Sequence, residues 1–230
     1  MAKPNKRPTY TSPKGIFRYP SLNKPDYGNE EYPKPKGEFK VQLVMSRDDA
    51  EEFIAKLQPI FDEAVREGEE KFAKLPVAQR KKLKEMTVND LYNEIFDKES
   101  EEPTGEVFFK FGTAASGENT KGEKWTRKIP LFDAKGKPLN KPPAIWGGTV
   151  GKVSFEAAPY FVTGTGTAGL KLYLIAAQVI DLVSQGSRDA AGYGFGAEDG
   201  FDGSDTEDGT GDESFSDESG TNDESDTPDF

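Results

Sequence analysis

The sequence predicts a mainly β protein: a small barrel or sandwich of five strands, with a helical insertion after the first strand and a disordered acidic tail. Three observations predict it. Apolar and polar residues alternate over five separate stretches, with turn residues between them. Only 34% of residues are hydrophobic and mean hydropathy is -0.73, so a packed core requires part of the chain to stay out of it. The charge is segregated. Arg188 is the last base and 15 of the 41 acids follow it, leaving residues 1–188 with 26 acids against all 30 Lys and Arg, a net of +4. The formal net charge of -11 conceals a mildly basic body joined to a polyanion.

Residues 1–37 read as an extended basic arm, because Pro4, Pro8, Pro13, Pro20, Pro25, Pro33 and Pro35 interrupt any helix. Counted to Lys40, the arm holds nine bases and four acids, and its rings are Tyr10, Phe17, Tyr19, Tyr27 and Tyr32. The first strand is GEFKVQLVM, with Phe39, Val41, Leu43 and Met45 on one face and Lys40 and Gln42 on the other. Ser46 and Asp49 then form a capping box. The helical insertion covers about residues 47–97, with Phe53, Leu57, Ile60, Phe61, Ala64, Val65, Phe72 and Leu75 at helical spacing. Pro59 is expected to kink or restart that helix. A second box, Thr87 to Asp90, opens a short helix carrying Leu91, Ile95 and Phe96. Residues 41–103 carry ten bases and sixteen acids, so this insertion is expected to turn an acidic face away from nucleic acid.

Period two returns at Gly105. GEVFFKFGTAAS places Val107, Phe109 and Phe111 opposite Phe108 and Lys110. EKWTRKIPLFD places Trp125, Arg127, Ile129 and Leu131 opposite Lys124, Thr126 and Lys128. WGGTVGKVSFEAAPYFV and TAGLKLYLIAAQVIDLV complete the five, so the domain spans residues 38–186. Residues 187–230 contain no aliphatic side chain larger than Ala. Such a segment cannot offset its ordering entropy and is expected to be disordered.

The chemistry available is narrow. With no Cys and no His, the chain lacks thiolate nucleophiles, disulfides, cysteine-based zinc sites and the commonest general base. No enzyme activity, metal or cofactor is expected. The N-terminus has no apolar run behind its bases, and LKLYLIAAQVIDLV contains Lys171 and Asp181, so neither a signal peptide nor a membrane span is expected. GTGTAG, Gly164 to Gly169, matches a dinucleotide fingerprint in letters only. A strand follows it rather than a helix, so it reads as a glycine-rich hairpin loop.

What remains is basic residues interleaved with rings. Residues 104–152 hold nine bases and four acids. Single-stranded nucleic acid is bound by charge along its backbone and by rings that stack on its bases. The candidate contacts are the rings Phe111, Trp125, Trp146, Tyr160 and Phe161, with the cations Lys110, Lys124, Arg127, Lys128, Lys152 and Lys171. Neighbours on a strand face opposite ways, so one member of each pair Phe108/Phe109 and Tyr160/Phe161 belongs to the core, with Tyr160 the exposed one. The tail carries Phe201, Phe215 and the terminal Phe230 through its acids. It reads either as a solubilising extension or as a mimic of nucleic acid that fills a basic groove.

KPDYGNEE (Lys24 to Glu31), FKFG (Phe109 to Gly112), GGTVGKVSF, PYFV before a glycine/threonine loop, LKLYL and the Asp-Phe end together resemble the single-stranded DNA-binding proteins of short-tailed, T-seven-like bacteriophages. The resemblance implies a five-stranded OB-fold barrel. It implies sequence-independent binding, protection and annealing of single-stranded DNA in phage replication and recombination. It further implies a homodimer in the cytoplasm of the infected host, and contacts with the phage DNA polymerase and helicase-primase through the tail residues Asp226, Asp229 and Phe230. The stacking tyrosine of the family matches Tyr160, whereas its companion tryptophan falls on Val162, leaving Phe161 or Trp146 for that role. The alternative is an acidic-tailed adaptor or chaperone whose body ignores DNA.

Overall fold

The computed structural model describes residues 7–184 of the chain. Its elements in order are β1 (Thr9–Thr11), β2 (Gly15–Gly28), β3 (Pro33–Ser46), α1 (Arg47–Ala73), α2 (Val77–Leu83), β4 (Thr87–Val88), β5 (Asn93–Phe96), β6 (Pro103–Ala114), β7 (Ser116–Glu118), β8 (Lys124–Thr126), β9 (Leu131–Phe132), β10 (Val150–Val162) and β11 (Thr167–Asp181). The five long strands close in the order β2-β3-β6-β11-β10 and back to β2. Every neighbour in this ring is antiparallel except β6 against β11. The expected mainly β, five-stranded barrel is present, with its helix after the first two barrel strands.

Alternation fills the interior. Phe39, Val41, Leu43 and Met45 of β3 point inward, as do Val107, Phe109 and Phe111 of β6, Val153 and Phe155 of β10, and Leu172 and Leu174 of β11. Their rings meet edge-on, with Phe111 and Phe155 5.0 Å apart between centroids. The α1 helix lies over β10 and β11 and lowers Phe53 into this cluster, 4.9 Å from Phe109 and 5.8 Å from Phe155. Ser46 caps it as expected, its hydroxyl accepting the Asp49 backbone N–H at 3.1 Å. The helix continues through Pro59 for all of its 27 residues. Its buried face of Ala50, Phe53, Leu57 and Ala64 holds it in place where propensity would break it.

Three expectations need correcting. Gly15–Gly28, read as part of an arm, is the first barrel strand, so the expected boundary at 37/38 falls inside β3 and α1 follows the second barrel strand. Register shifts and two prolines hide its alternation. The EKWTRKIPLFD segment is not a barrel strand. It supplies β8, which pairs with β7, and β9, which adds two residues in parallel beside β11. The second capping box opens no helix. Residues 87–96 form β4 and β5 instead, because the N-terminal half of β6 needs a partner for its edge and Asn93 and Glu94 pair there with Phe108 and Val107. The first half of the GTGTAG run is in a hairpin loop as expected, joining β10 to β11 with Val162 opposite Thr167, while Thr167, Ala168 and Gly169 open β11. The tail expected over 187–230 lies outside the described residues. No helix among the described residues is long and apolar enough to cross a membrane.

Phe53 links the helix to the barrel, so Phe53→Ala should lower stability by about 3–5 kcal/mol in urea unfolding. A loss below about 1 kcal/mol would show that α1 is not held by this ring.

Candidate nucleic-acid interface

The site originates in the one parallel pairing of the five-strand ring. β6 meets β11 at Phe111 opposite Leu172, while its N-terminal half is taken by β5. Between those pairings lies a cleft of about 600 Å³, whose lining includes Asn89, Asp90, Lys110, Tyr160, Lys171 and Tyr173. A second cleft of about 250 Å³ shares Lys110 and Lys171 with it and adds Tyr19, Glu38, Lys40 and Gln42.

Register brings the cations together. Arg18 stands opposite Gln42, and Gln42 opposite Lys110. Their inward neighbours Phe17, Leu43 and Phe109 are buried, so all three side chains take the outer face. Lys171 precedes Leu172 as Lys110 precedes Phe111, and extends the row onto β11. At ~4.8 Å between strands, Arg18, Gln42, Lys110 and Lys171 span about 14 Å. Rings accompany the row. The Arg18 guanidinium lies 5.0 Å from the Tyr19 ring and 5.4 Å from Phe108, which Lys110 also approaches at 5.4 Å. Arg7 covers Tyr173 at 5.4 Å. The Gln42 carbonyl oxygen is buried with no hydrogen-bond partner among the described residues.

Tyr160 is placed by two neighbours. It stands opposite Gly169, where a Cβ would lie 2.9–3.1 Å from its ring and hydroxyl, so only a glycine lets the ring settle there. Its hydroxyl accepts a hydrogen bond from the Asn89 side-chain amide. β4 delivers that amide by pairing with β11, and the Asn89 backbone N–H donates to the Ala168 carbonyl at 2.9 Å.

Where β2 turns into β3, two carboxylates hold three lysines. Asp26 pairs with Lys40 at 2.6 Å and Lys34 at 3.0 Å, and Glu38 pairs with Lys34 at 2.6 Å and Lys171 at 3.7 Å. The Lys40 ammonium, then the Gly28 N–H and Lys34, keep the Asp26 carboxyl well below the usual carboxylate range. Lys34 is raised, chiefly by its hydrogen bond to Glu38 and, against the cost of desolvation, by Asp26.

The expected contacts therefore divide. Lys110, Lys171 and Tyr160 converge in the cleft. Phe111 borders only the second cleft, from below: the side chain is 2% exposed, because residue 111 shares the inward parity of Phe109, and leaves no open face for a base. Lys124, Trp125, Arg127 and Lys128 are exposed on and after the β7–β8 hairpin, where Arg127 covers Trp125 at 5.3 Å and also donates to the Thr113 hydroxyl. Trp125 is 37% exposed. The hairpin adjoins the start of β3, with the Ser116 hydroxyl donating to the Lys36 carbonyl. Trp146, 45% exposed, sits in the turn before β10, its backbone N–H donating to the Val183 carbonyl. Lys152 lies opposite Gln178, six residues along β10 from the Ala158 that faces Lys171, and lines a separate hollow. Tyr160 and Phe161 are both half-buried, so that pair does not split into core and surface, whereas Phe109 is core and Phe108 is not. Asp226, Asp229 and Phe230 lie outside the described residues. Sequence reasoning missed Arg18, Tyr19, Lys40, Gln42, Asn89 and Tyr173 as site residues. The outward alternation of Lys40 and Gln42 was the available signal.

A five-stranded barrel with cations in a row and rings beside them is the build of an oligonucleotide-binding OB barrel. The chain belongs to the family described as "Single-stranded DNA-binding protein, Bacteriophage T7", whose model it matches over residues 15–182. It is 34% identical over 194 residues to the single-stranded DNA-binding protein of Enterobacteria phage T3, covering 79% of each chain. It is 30% identical over 174 residues to that of Escherichia phage T7, covering 73% of each. Among solved structures, gp2.5, a single-stranded DNA binding protein encoded by bacteriophage T7, superposes with a TM-score of 0.62 at 24% identity. That likeness covers 85% of this chain and 98% of that one, and bears on the fold.

A depressed Asp26 contributes stability above its unfolded value of about 4, and that contribution is lost as pH falls through the lower folded value. Asp26→Asn should be less stable than wild type near neutrality, with the gap closing toward about pH 2 in urea unfolding. A gap that does not change with pH would assign the loss to the Gly28 turn rather than to the ion pairs.

Proposed function

We propose that this protein binds single-stranded DNA without regard to sequence, in the joined cleft between β3, β6, β10 and β11. The row of Arg18, Lys110 and Lys171 across one barrel face, with Tyr160 beside it, is the observation that carries this reading. Phosphates would lie along the cations and bases against the rings, so affinity would follow salt rather than base order. The phage T3 and T7 relatives, both single-stranded DNA-binding proteins, support the same reading. In this account the protein serves phage replication and recombination in the host cytoplasm, shielding and annealing single strands as a homodimer. Asp226, Asp229 and Phe230 would recruit the polymerase and helicase-primase, and the 15 acids of the tail would compete with DNA for the cleft.

Fluorescence titration with oligo-dT at a series of salt concentrations tests the cleft. Lys110→Ala and Lys171→Ala should each weaken binding and flatten the log–log salt slope by about 0.7, the amount expected for one phosphate contact to a single strand. Slopes unchanged in both variants would place the DNA elsewhere. Residues 1–187 alone should bind more tightly than the full chain. Equal or weaker binding by the shortened chain would remove the competing role of the tail.

A further inference from the structure

We propose that Tyr19 is a second stacking platform for a base of the bound strand, at the other end of the joined cleft from Tyr160. This rests on the single-strand reading above.

The backbone first marks the residue. Tyr19 has a φ of 51°, the left-handed region that glycine enters freely and a bulky aromatic residue rarely does. The chain has put a ring where a glycine would sit without strain. Such outliers collect at functional sites, where the surrounding structure holds them. Here the holding element is a bulge. Arg18 pairs with Gln42 and Ser21 with Lys40, three steps along β2 against two along β3. One residue is therefore extra, and a bulge of this kind re-aims a side chain. Pro20 follows directly and fixes its own φ.

The ring's surroundings then give the chemistry. Tyr19 is 62% exposed, so no core contact accounts for its position. The Arg18 guanidinium stands 5.0 Å from the ring centre and would meet the phosphate beside a base stacked there. The cleft that Tyr19 lines also holds Lys40, Gln42, Lys110 and Lys171, so three cations converge on one open ring. Proline-rich surroundings gave the sequence no means of separating this tyrosine from the other rings of the arm.

The test uses the full chain with two ligands of equal length, oligo-dT and an abasic deoxyribose-phosphate oligomer. Tyr19→Leu should weaken oligo-dT binding roughly 5- to 150-fold, the range for loss of one base–ring stack, and leave the abasic ligand unchanged. Tyr19→Phe should bind like wild type. Tyr19→Gly should lose oligo-dT affinity as Tyr19→Leu does while its thermal midpoint holds or rises, since glycine relieves the backbone. Equal binding of oligo-dT by Tyr19→Leu and wild type would overturn the proposal, and so would an equal loss for both ligands. Failure of wild type itself to bind oligo-dT would overturn the single-strand reading and this one with it, an outcome distinct from the loss of the Tyr19 difference alone.

Discussion

The barrel closes where two glycines face each other. Gly15 stands opposite Gly151 at the seam between β2 and β10, next to Ile16 opposite Val150. A Cβ on Gly151 would come within 2.4 Å of both the Phe17 ring and the Gln178 carbonyl, and one on Gly15 within 2.6 Å of the Val44 carbonyl. Side chains there would push the two strands apart. Bare backbone instead lets Phe17 fill the seam completely buried. The Phe17 N–H donates to the Thr149 carbonyl at 2.7 Å, and the Phe17 carbonyl accepts the Gly148 N–H at 2.9 Å, so the closing strand is pinned at the same residue. With β2 fixed to β10, its other edge pairs with β3, and that pairing sets Arg18 beside Gln42 and Lys110. The cation row is a consequence of the seam.

The cations in and beside the cleft are held in two different ways, and the difference matters for an incoming phosphate. Lys34, Lys40 and Lys171 already lean on Asp26 or Glu38. These pairs are partly buried, and a phosphate arriving there must displace a carboxylate, with little net gain. Lys110 and Arg18 have no ion pair among the described residues and rest against rings instead. A phosphate gains there without displacing anything. Electrostatic binding should therefore concentrate at the centre of the row, with the hairpin network acting as a reserve of charge already largely neutralised. The acidic α1 packs chiefly against β10 and β11 and supplies no lining residue to either cleft.

Much of the fold was legible in the sequence, for physical reasons that also explain the failures. Strands β3, β6, β10 and β11 kept their alternation because each buries one face against a common core, and period two is the record of that burial. The Ser46 cap was legible because it depends on neighbouring residues alone. β2 was not, since its bulge and prolines break the period while the closing seam, a contact between residues 15 and 151, restores the strand. Nor was β5, because a helix-compatible run became a strand once a distant edge needed covering. Within the site, Lys110, Lys171 and Tyr160 emerged from local pattern. Tyr19 and Asn89 belong to it only through register and crossover, which no local period records.

The error over Phe111 points to a rule within this chain. Among the described residues every fully buried ring is a phenylalanine, although Phe96 is 54% exposed and Phe161 is half-buried. Phe17, Phe39, Phe53, Phe109, Phe111 and Phe155 are all buried, whereas Tyr19, Tyr27 and Tyr32 are exposed and Tyr160 and Tyr173 are half-buried along the cleft. Phenylalanine gains most from leaving water completely, while a tyrosine keeps its hydroxyl wet and is stable with one side out. Phe108 shows the limit of the rule. Phe108 stays partly exposed because Arg18 and Lys110 lie over it, and a cation can cover an apolar ring without withdrawing its own charge from solvent. Counting rings near bases overstates a binding surface. Counting tyrosines, and those phenylalanines that a cation covers, outlines the surface this barrel presents.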